Sequence, residues 1–464
     1  MELVAAFFAL VYDELTGNGF ANNTHLESAM ASQRDRREFL KKSSAVVAAS
    51  AISAGIVRHA HAAGSDEIKF CVVGCGGRGT GAAAQIFNTK GNTRLVAVAD
   101  AFEKNAKGSV KRLRRHAKDK VSVDDDQIHW GLDAYKKAID SDCDLVVIAT
   151  PPGFKPQQFE YAVNKGKHVF MEKPVATDAP GIRRVLEAVD ESKKKNLMVA
   201  LGLQRRHEPR YVETIKRIHD GAIGDVILQR VYWNGGGIWY RNRDPAQTEM
   251  EFQVNNWYHF NWVCGDQICE QHIHNLDVAN WVKGDYPVEC NGMGGGEQRM
   301  GGDRRKSQIF DHTFCEYTYP DGSKLFSQGR HLAGAWSHVG EAVHGTKGTA
   351  NPAGSIEGKW QYSGPFPNGH QQEQHDMIES LMAGKIYNEG DYGAKSTFTS
   401  ILGREACYSG QILKWDDLLS KGKELAPGID QFTMQSQSPT QPDKDGRYFV
   451  PTPGKYNPMA SEQA

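Results

Sequence analysis

The stretch Gly74-Cys75-Gly76-Gly77-Arg78-Gly79 limits what this chain can fold into more than any other. It follows Ile68–Val73 (IKFCVV), a short apolar run of the kind buried on both faces in a parallel sheet. A small-residue helix, Thr80–Asn88, comes next, and a second strand, Thr93–Ala99 (TRLVAVA), ends in Asp100, 26 residues after Gly74. A lone G-x-G-x-x-G is weak, but strand, loop, helix, strand and acid in this order are the parts of a dinucleotide-binding unit. Gly74 permits the tight turn, Gly76 lets backbone amides approach a pyrophosphate, and Gly79 lets helix and strand pack closely. Gly77 and Arg78 complete the loop, and the helix N-terminus favours phosphate charge. Asp100 suits the ribose hydroxyls and repels a 2′-phosphate. Ala101-Phe102-Glu103 offers no arginine to receive one, so NAD is expected over NADP.

Strand and helix keep alternating. Helices are expected at Glu103–His116, Ala134–Ile139, Pro156–Lys165 and Asp178–Lys193, with strands at Asp144–Ala149, His168–Met171 and Asn196–Leu203. This pattern predicts a doubly wound parallel sheet, a Rossmann domain over residues 66–206. Ligands of such sheets bind outside the carboxyl ends of the strands. The glycine loop, Thr150-Pro151-Pro152 and Glu172-Lys173-Pro174 therefore converge on one crevice, with Lys173 where a nicotinamide would lie. Taken alone, Glu-Lys-Pro after a strand is a solvated turn. A cis Lys173–Pro174 bond would turn the lysine inward.

Past residue 206 the pattern changes. A helix at Pro209–Asp220 leads to Val226–Trp233, which alternates like an antiparallel strand, and further strands are expected at Asp311–Tyr319, Lys324–Gln328 and His338–His344. Helices near Gln371–Ala383 and Ala394–Leu413 close a second α/β domain, residues 207–425, with an open, mostly antiparallel sheet; residues 426–464 read as a loop-like tail. Within this half, Glu270, His274 and Asp277 would share one face of a continuous helix, within about 60°. A solvated face, a metal site and a catalytic face all fit that pattern; the catalytic reading is preferred and no metal is expected. Gln204, Arg206, Asp277 and Trp257 are candidate substrate contacts, although aromatic residues in such loops serve core packing or subunit contact equally well.

Charge excludes some functions. With 55 basic and 56 acidic residues among 464, no global field recruits nucleic acid or an anionic membrane. The eight cysteines are scattered without a CxxC pair, so neither zinc nor a disulfide framework is expected. Arg36-Arg37 ahead of Phe39-Leu40-Lys41, the 15-residue apolar stretch Ser43–Val57 and Ala60-His61-Ala62 read as a twin-arginine export signal over residues 30–63, too short to span a membrane. Residues 1–29 then read as a mis-assigned extension before Met30, and the mature protein as periplasmic.

The order GCGGRG, VAVAD, ATPP, MEKP, then Glu270, His274 and Asp277, resembles the Gfo/Idh/MocA family across roughly residues 66–410. That resemblance implies a nicotinamide-dependent oxidoreductase acting on CH–OH groups of sugars or polyols and assembling as a dimer or tetramer. It implies that Lys173 is the active-site lysine and His274 the catalytic histidine; Glu270 stands where many members carry aspartate. Histidine suits proton transfer at neutral pH. His274 is therefore the expected proton acceptor, with Lys173 donating to the substrate oxygen and Glu270 holding the imidazole or a second hydroxyl. The division of labour between lysine and histidine stays open. The alternative is a glycoside hydrolase or lyase working by transient oxidation, a branch that lacks a plain Glu-Lys-Pro lysine. Export together with a nucleotide implies a cofactor that stays bound through turnover.

Overall fold

The computed structural model describes residues 67–297 and 307–459. The expected extension over 1–29 and the export signal over 30–63 lie outside the described residues.

The first sheet has six parallel strands: β1 Glu67–Val73, β2 Asn92–Asp100, β3 Ile128–Trp130, β4 Leu145–Ile148, β5 His168–Met171 and β6 Val199–Leu201. Their order, β3-β2-β1-β4-β5-β6, reverses direction between β1 and β4, which is the switch point where such sheets bind ligands. The inner strands are buried towards their carboxyl ends because helices cover both faces: all four residues of β4 are buried, as are the last four of β1. The three residues of β3 were not foreseen. Three residues are too few to give a periodic signal.

The second sheet has nine strands. They are β7 Val226–Gly235, β8 Glu289–Gly295, β9 His312–Thr318, β10 Lys324–His331, β11 His338–Gly345, β12 Gly348–Asn351, β13 Ser355–Ile356, β14 Trp360–Gln361 and β15 Leu413–Lys414. Every pairing is antiparallel except β7 with β10, so β7, whose alternation reads as antiparallel, is so only towards β11. Two helices straddle the domains. Gly390–Ser409 packs on β8 and β9 and also on the Rossmann helix Ala179–Lys194, while Gly369–Met382 packs on Gly77–Phe87, the helix that follows the glycine loop. One apolar core accordingly runs from Val73 and Val146 in the first sheet to Cys315 and Tyr317 in the second. This continuity fixes the mouth of the Rossmann crevice against the second domain.

Candidate active site

A cavity of about 770 Å³ opens at the carboxyl ends of β1, β4 and β5. Gly74, Gly76, Gly77, Arg78, Asp100, Thr150, Pro151, Pro152, Glu172 and Lys173 line it from the Rossmann side, and Glu270, His274 and Trp257 from the second domain.

NAD is the group such a site implies, and the residues fit it. Gly74 sits at φ +97°, and a Cβ there would stand 2.6 Å from the Ala149 carbonyl carbon. A Cβ on Gly79 would fall 1.8 Å from the Gly74 carbonyl oxygen, so helix and strand meet only because both residues are glycine. At Gly76 and Gly77 a Cβ would meet nothing within 4 Å, which leaves the loop's outer face open to a ligand. No side chain caps the helix Gly77–Phe87, so its first-turn amides stay available for phosphate oxygens. Asp100 accepts from the amides of Cys75 at 2.7 Å and Phe102 at 2.9 Å and from Asn105 at 3.0 Å, which orients its carboxylate and leaves lone pairs for ribose hydroxyls.

At the other end, Lys173 follows β5 through a cis Lys173–Pro174 peptide. Its Nζ donates to the Glu270 carboxylate at 2.9 Å and also to the Glu270 backbone carbonyl. The second contact explains a departure from the expected continuous helix. The chain forms Gln267–Glu270, breaks at Gln271-His272, and resumes as Ile273–Lys283. The His274 amide bonds the Gln271 carbonyl at 3.3 Å, so the Glu270 carbonyl that a regular turn would occupy is released to the lysine. Glu270 therefore holds the amine, not the imidazole.

His274 lies beside this pair, buried, with its ring stacked on Trp233 at 5.9 Å and 27° and its Nδ1 without a hydrogen-bond partner. Burial, reinforced by the positive charges of Lys173 and Arg205, pushes its pKa well below the usual histidine range. At neutral pH the imidazole is neutral and able to take a proton.

Asp277 does not join them. Arg206 grips its carboxylate with Nε at 2.9 Å and Nη2 at 2.8 Å, and Ser396 donates to it at 2.7 Å. The Arg206 plane also lies 3.8 Å from the Tyr392 ring centre. This buried pair braces the helix Ile273–Lys283 against Gly390–Ser409, and neither residue lines the cavity. Gln204 borders a separate hollow of about 400 Å³ with Arg205 and His338. Of the four candidate substrate contacts, only Trp257 is on the cavity wall.

Two features escaped the sequence. Lys155 is fully buried behind the Glu-Lys-Pro turn, where its Nζ donates to the carbonyls of Glu172 at 2.6 Å, Lys173 at 3.1 Å and Pro174 at 2.9 Å. Burial draws its pKa down to about 7, against the opposing pull of the Glu172 and Glu270 charges. A lysine directly before Pro156 at a helix start was the available signal. The second feature joins Arg78 to Glu172 and, at 3.0 Å, to Glu373, with His370 Nδ1 3.4 Å from Glu373. Oxygen and nitrogen atoms of Glu172, His370 and Glu373 lie within 4.8 Å of one another, but the Arg78 guanidinium already supplies positive charge to both carboxylates. Burial and the neighbouring Glu172 charge raise the Glu373 pKa to about 7. No local sequence signal marks this cluster.

Comparison with known proteins agrees with the geometry. Residues 68–201 match the Gfo/Idh/MocA oxidoreductase family profile, described as an NAD-binding Rossmann fold. Inositol 2-dehydrogenase of Rhizobium meliloti (strain 1021) is 29% identical over 221 residues, 48% of this chain and 56% of the relative. Inositol 2-dehydrogenase of Rubrobacter xylanophilus is 30% identical over 226 residues, 46% of this chain and 57% of the relative. The chain thus spans about half the length of the curated relatives it matches. Among solved structures, scyllo-inositol dehydrogenase from Lactobacillus casei with bound NAD(H) and scyllo-inositol superposes with a TM-score of 0.58 at 20% identity, covering 75% of this chain and 99% of that one. Aldose-aldose oxidoreductase from Caulobacter crescentus complexed with glycerol gives 0.57 at 20% identity, with the same coverage of 75% and 99%. These two show a shared fold across both domains. Residues 68–201 are thus similar to the NAD-binding Rossmann fold of the Gfo/Idh/MocA oxidoreductase family.

Proposed function

We propose that the chain is an NAD-dependent dehydrogenase that moves a hydride between a carbinol carbon of a polyol or sugar-like substrate and the nicotinamide. The observation that carries this is the convergence of Lys173, Glu270 and His274 at one end of a cavity whose other end holds Asp100 and the glycine loop. The inositol 2-dehydrogenases among the relatives support a polyol as the substrate class.

Bound NAD supplies the hydride acceptor. The chain's own groups do the rest. Lys173, held by Glu270, donates a hydrogen bond to the substrate oxygen and stabilises the negative charge that grows there as the proton leaves. His274, neutral in its buried setting, accepts that proton. Lys155 fixes the backbone from which Lys173 projects. The burial of His274 and its stacking on Trp233 keep water from competing for the reacting carbon.

Purified protein with NAD and a panel of inositols, alditols and aldoses should yield reduced nicotinamide absorbance with at least one member, and Lys173→Ala should abolish it. A cleaved glycoside without net reduced nucleotide would instead favour the hydrolase or lyase reading. Export by the twin-arginine route and assembly as a dimer or tetramer belong to the same proposal. A reporter fused after residue 63 should reach the periplasm only while Arg36 and Arg37 are intact. Light scattering of the mature protein should give a mass above the monomer.

A further inference from the structure

The apolar cluster beside the cavity is built from three distant parts of the chain. Phe154, with Ala101, Phe102 and Leu132 against it, comes from the Rossmann domain. Met250, Phe252, Val254 and Trp257 come from the segment that follows β7, and Leu425, Ile429, Phe432 and Tyr448 from beyond the last helix. The β7 segment has thus left its own sheet and lies against the residues that follow Asp100 at the end of β2.

It is firmly fastened there. Thr248 and Glu251 form a reciprocal capping box at the start of the helix Glu249–Asn255. Gln253 donates to Ser438 at 3.1 Å and to the Thr440 carbonyl at 2.7 Å, and accepts from the Trp262 indole at 2.7 Å. Thr248 donates to the Met434 carbonyl at 2.7 Å. The tail is in turn tied to the Rossmann domain: Asp178 accepts from the Leu425 amide at 2.8 Å, and Arg184 pairs with Asp430 at 2.9 Å. The loop-like tail is a strut that presses the β7 segment onto the nucleotide domain.

The pressed face looks into the cavity. Arg241, Val254, Asn255 and Trp257 line it together with Asp100, Phe102 and Leu132. Asp100 marks the ribose nearest the adenine, so this is the adenosine end. Arg241 is exposed, stacks on Trp239 at 4.1 Å, donates to the Asn255 carbonyl, and forms no ion pair with a carboxylate among the described residues. An unneutralised guanidinium on the wall of a dinucleotide cleft is a ready partner for phosphate oxygens.

We propose that Arg241, Val254 and Trp257 form a cofactor-binding wall contributed by the second domain, which closes the adenosine end of the cleft. Val254 and Trp257 cover the adenine and Arg241 donates to the diphosphate, so the nucleotide leaves only when the segment between Arg241 and Trp257 lifts. This rests on the dinucleotide reading of the cavity and adds a residue set to it. Lifting the segment breaks its bonds to the tail and exposes Phe252 and Val254, which slows dissociation more than association.

The test uses the full chain, NAD, ADP-ribose and nicotinamide mononucleotide, with dissociation constants from calorimetry and release rates by rapid dilution. Arg241→Ala and Trp257→Ala should each raise the NAD dissociation constant and release rate about tenfold or more, roughly the effect of one lost charged or aromatic contact. ADP-ribose should suffer equally, and nicotinamide mononucleotide should be unaffected. His274→Ala should leave NAD retention intact. Wild-type binding of NAD with unchanged release from both wall variants overturns the proposal while sparing the dinucleotide reading. A wild type that binds neither NAD nor ADP-ribose overturns both. Arg241 is exposed, so its variant folds and keeps the test decisive even if Trp257→Ala does not.

Discussion

Lys173 Nζ and Glu270 Oε1 lie 2.9 Å apart across the junction of the two domains, and the backbone carbonyl of Glu270 accepts from the same amine. The pair is mostly buried, with side-chain exposures of 13% and 14%. An ammonium in that setting is held by two acceptors from a single residue, one of which exists because the helix breaks immediately after it.

Glu270→Gln removes the charge and leaves the carbonyl contact, so the lysine stays in place with a weaker tether. Turnover should fall about tenfold with NAD affinity unchanged, whereas Lys173→Ala should cost ~10²-fold or more. Steady-state kinetics with calorimetric NAD titration separates the two effects. Equal losses in both variants would mean the carboxylate does more than position the amine.

His274→Asn should lower turnover by ~10²–10⁴-fold, the usual span for a general base, without changing NAD binding. The wild-type pH profile carries the sign of the buried imidazole. A base whose pKa is pushed down stays unprotonated to lower pH, so the acidic limb of kcat/KM for alcohol oxidation should lie below pH 6.5. An acidic limb at or above 6.5 that disappears in His274→Asn would contradict this.

Lys155→Met leaves the carbonyls of Glu172, Lys173 and Pro174 without their shared donor. Each buried acceptor left unpaired costs ~1–3 kcal/mol, so the melting temperature should drop, and turnover should fall further than stability explains because Lys173 loses its footing. Turnover measured well below the lowered melting temperature tests this. Wild-type turnover there would make Lys155 purely a folding residue.

His207 stands 2.7 Å from Asp376 and 3.4 Å from Glu389. Burial opposes its charge, but the two carboxylates outweigh burial and raise its pKa to about 10. The folded value lies above the unfolded one of ~6.5, so this stabilisation is complete below pH 6.5 and is lost as pH rises through 10. Chemical denaturation from pH 6 to 10 should show stability declining in the wild type and a flatter slope in His207→Gln. Parallel slopes would remove His207 from the account.

Sequence alone determined the nucleotide half, because its signals are local. Gly74 and Gly79 are required by backbone geometry within six residues of each other, and the apolar runs of β1, β4 and β5 are legible without their partners. Lys173 and His274 were legible as a pair of motifs. What joins them was not. The helix break after Glu270 and the diversion of Asp277 to Arg206 depend on partners 97 and 71 residues away, respectively, and periodicity carries no information at that range. Arg78 reaches Glu373 across 295 residues, and the Met250–Trp257 face meets Phe102 and Leu132 only once both domains have packed. Local stereochemistry chose the elements; burial of charged and apolar groups from remote segments, possible only in the folded chain, decided which side chains face the cavity.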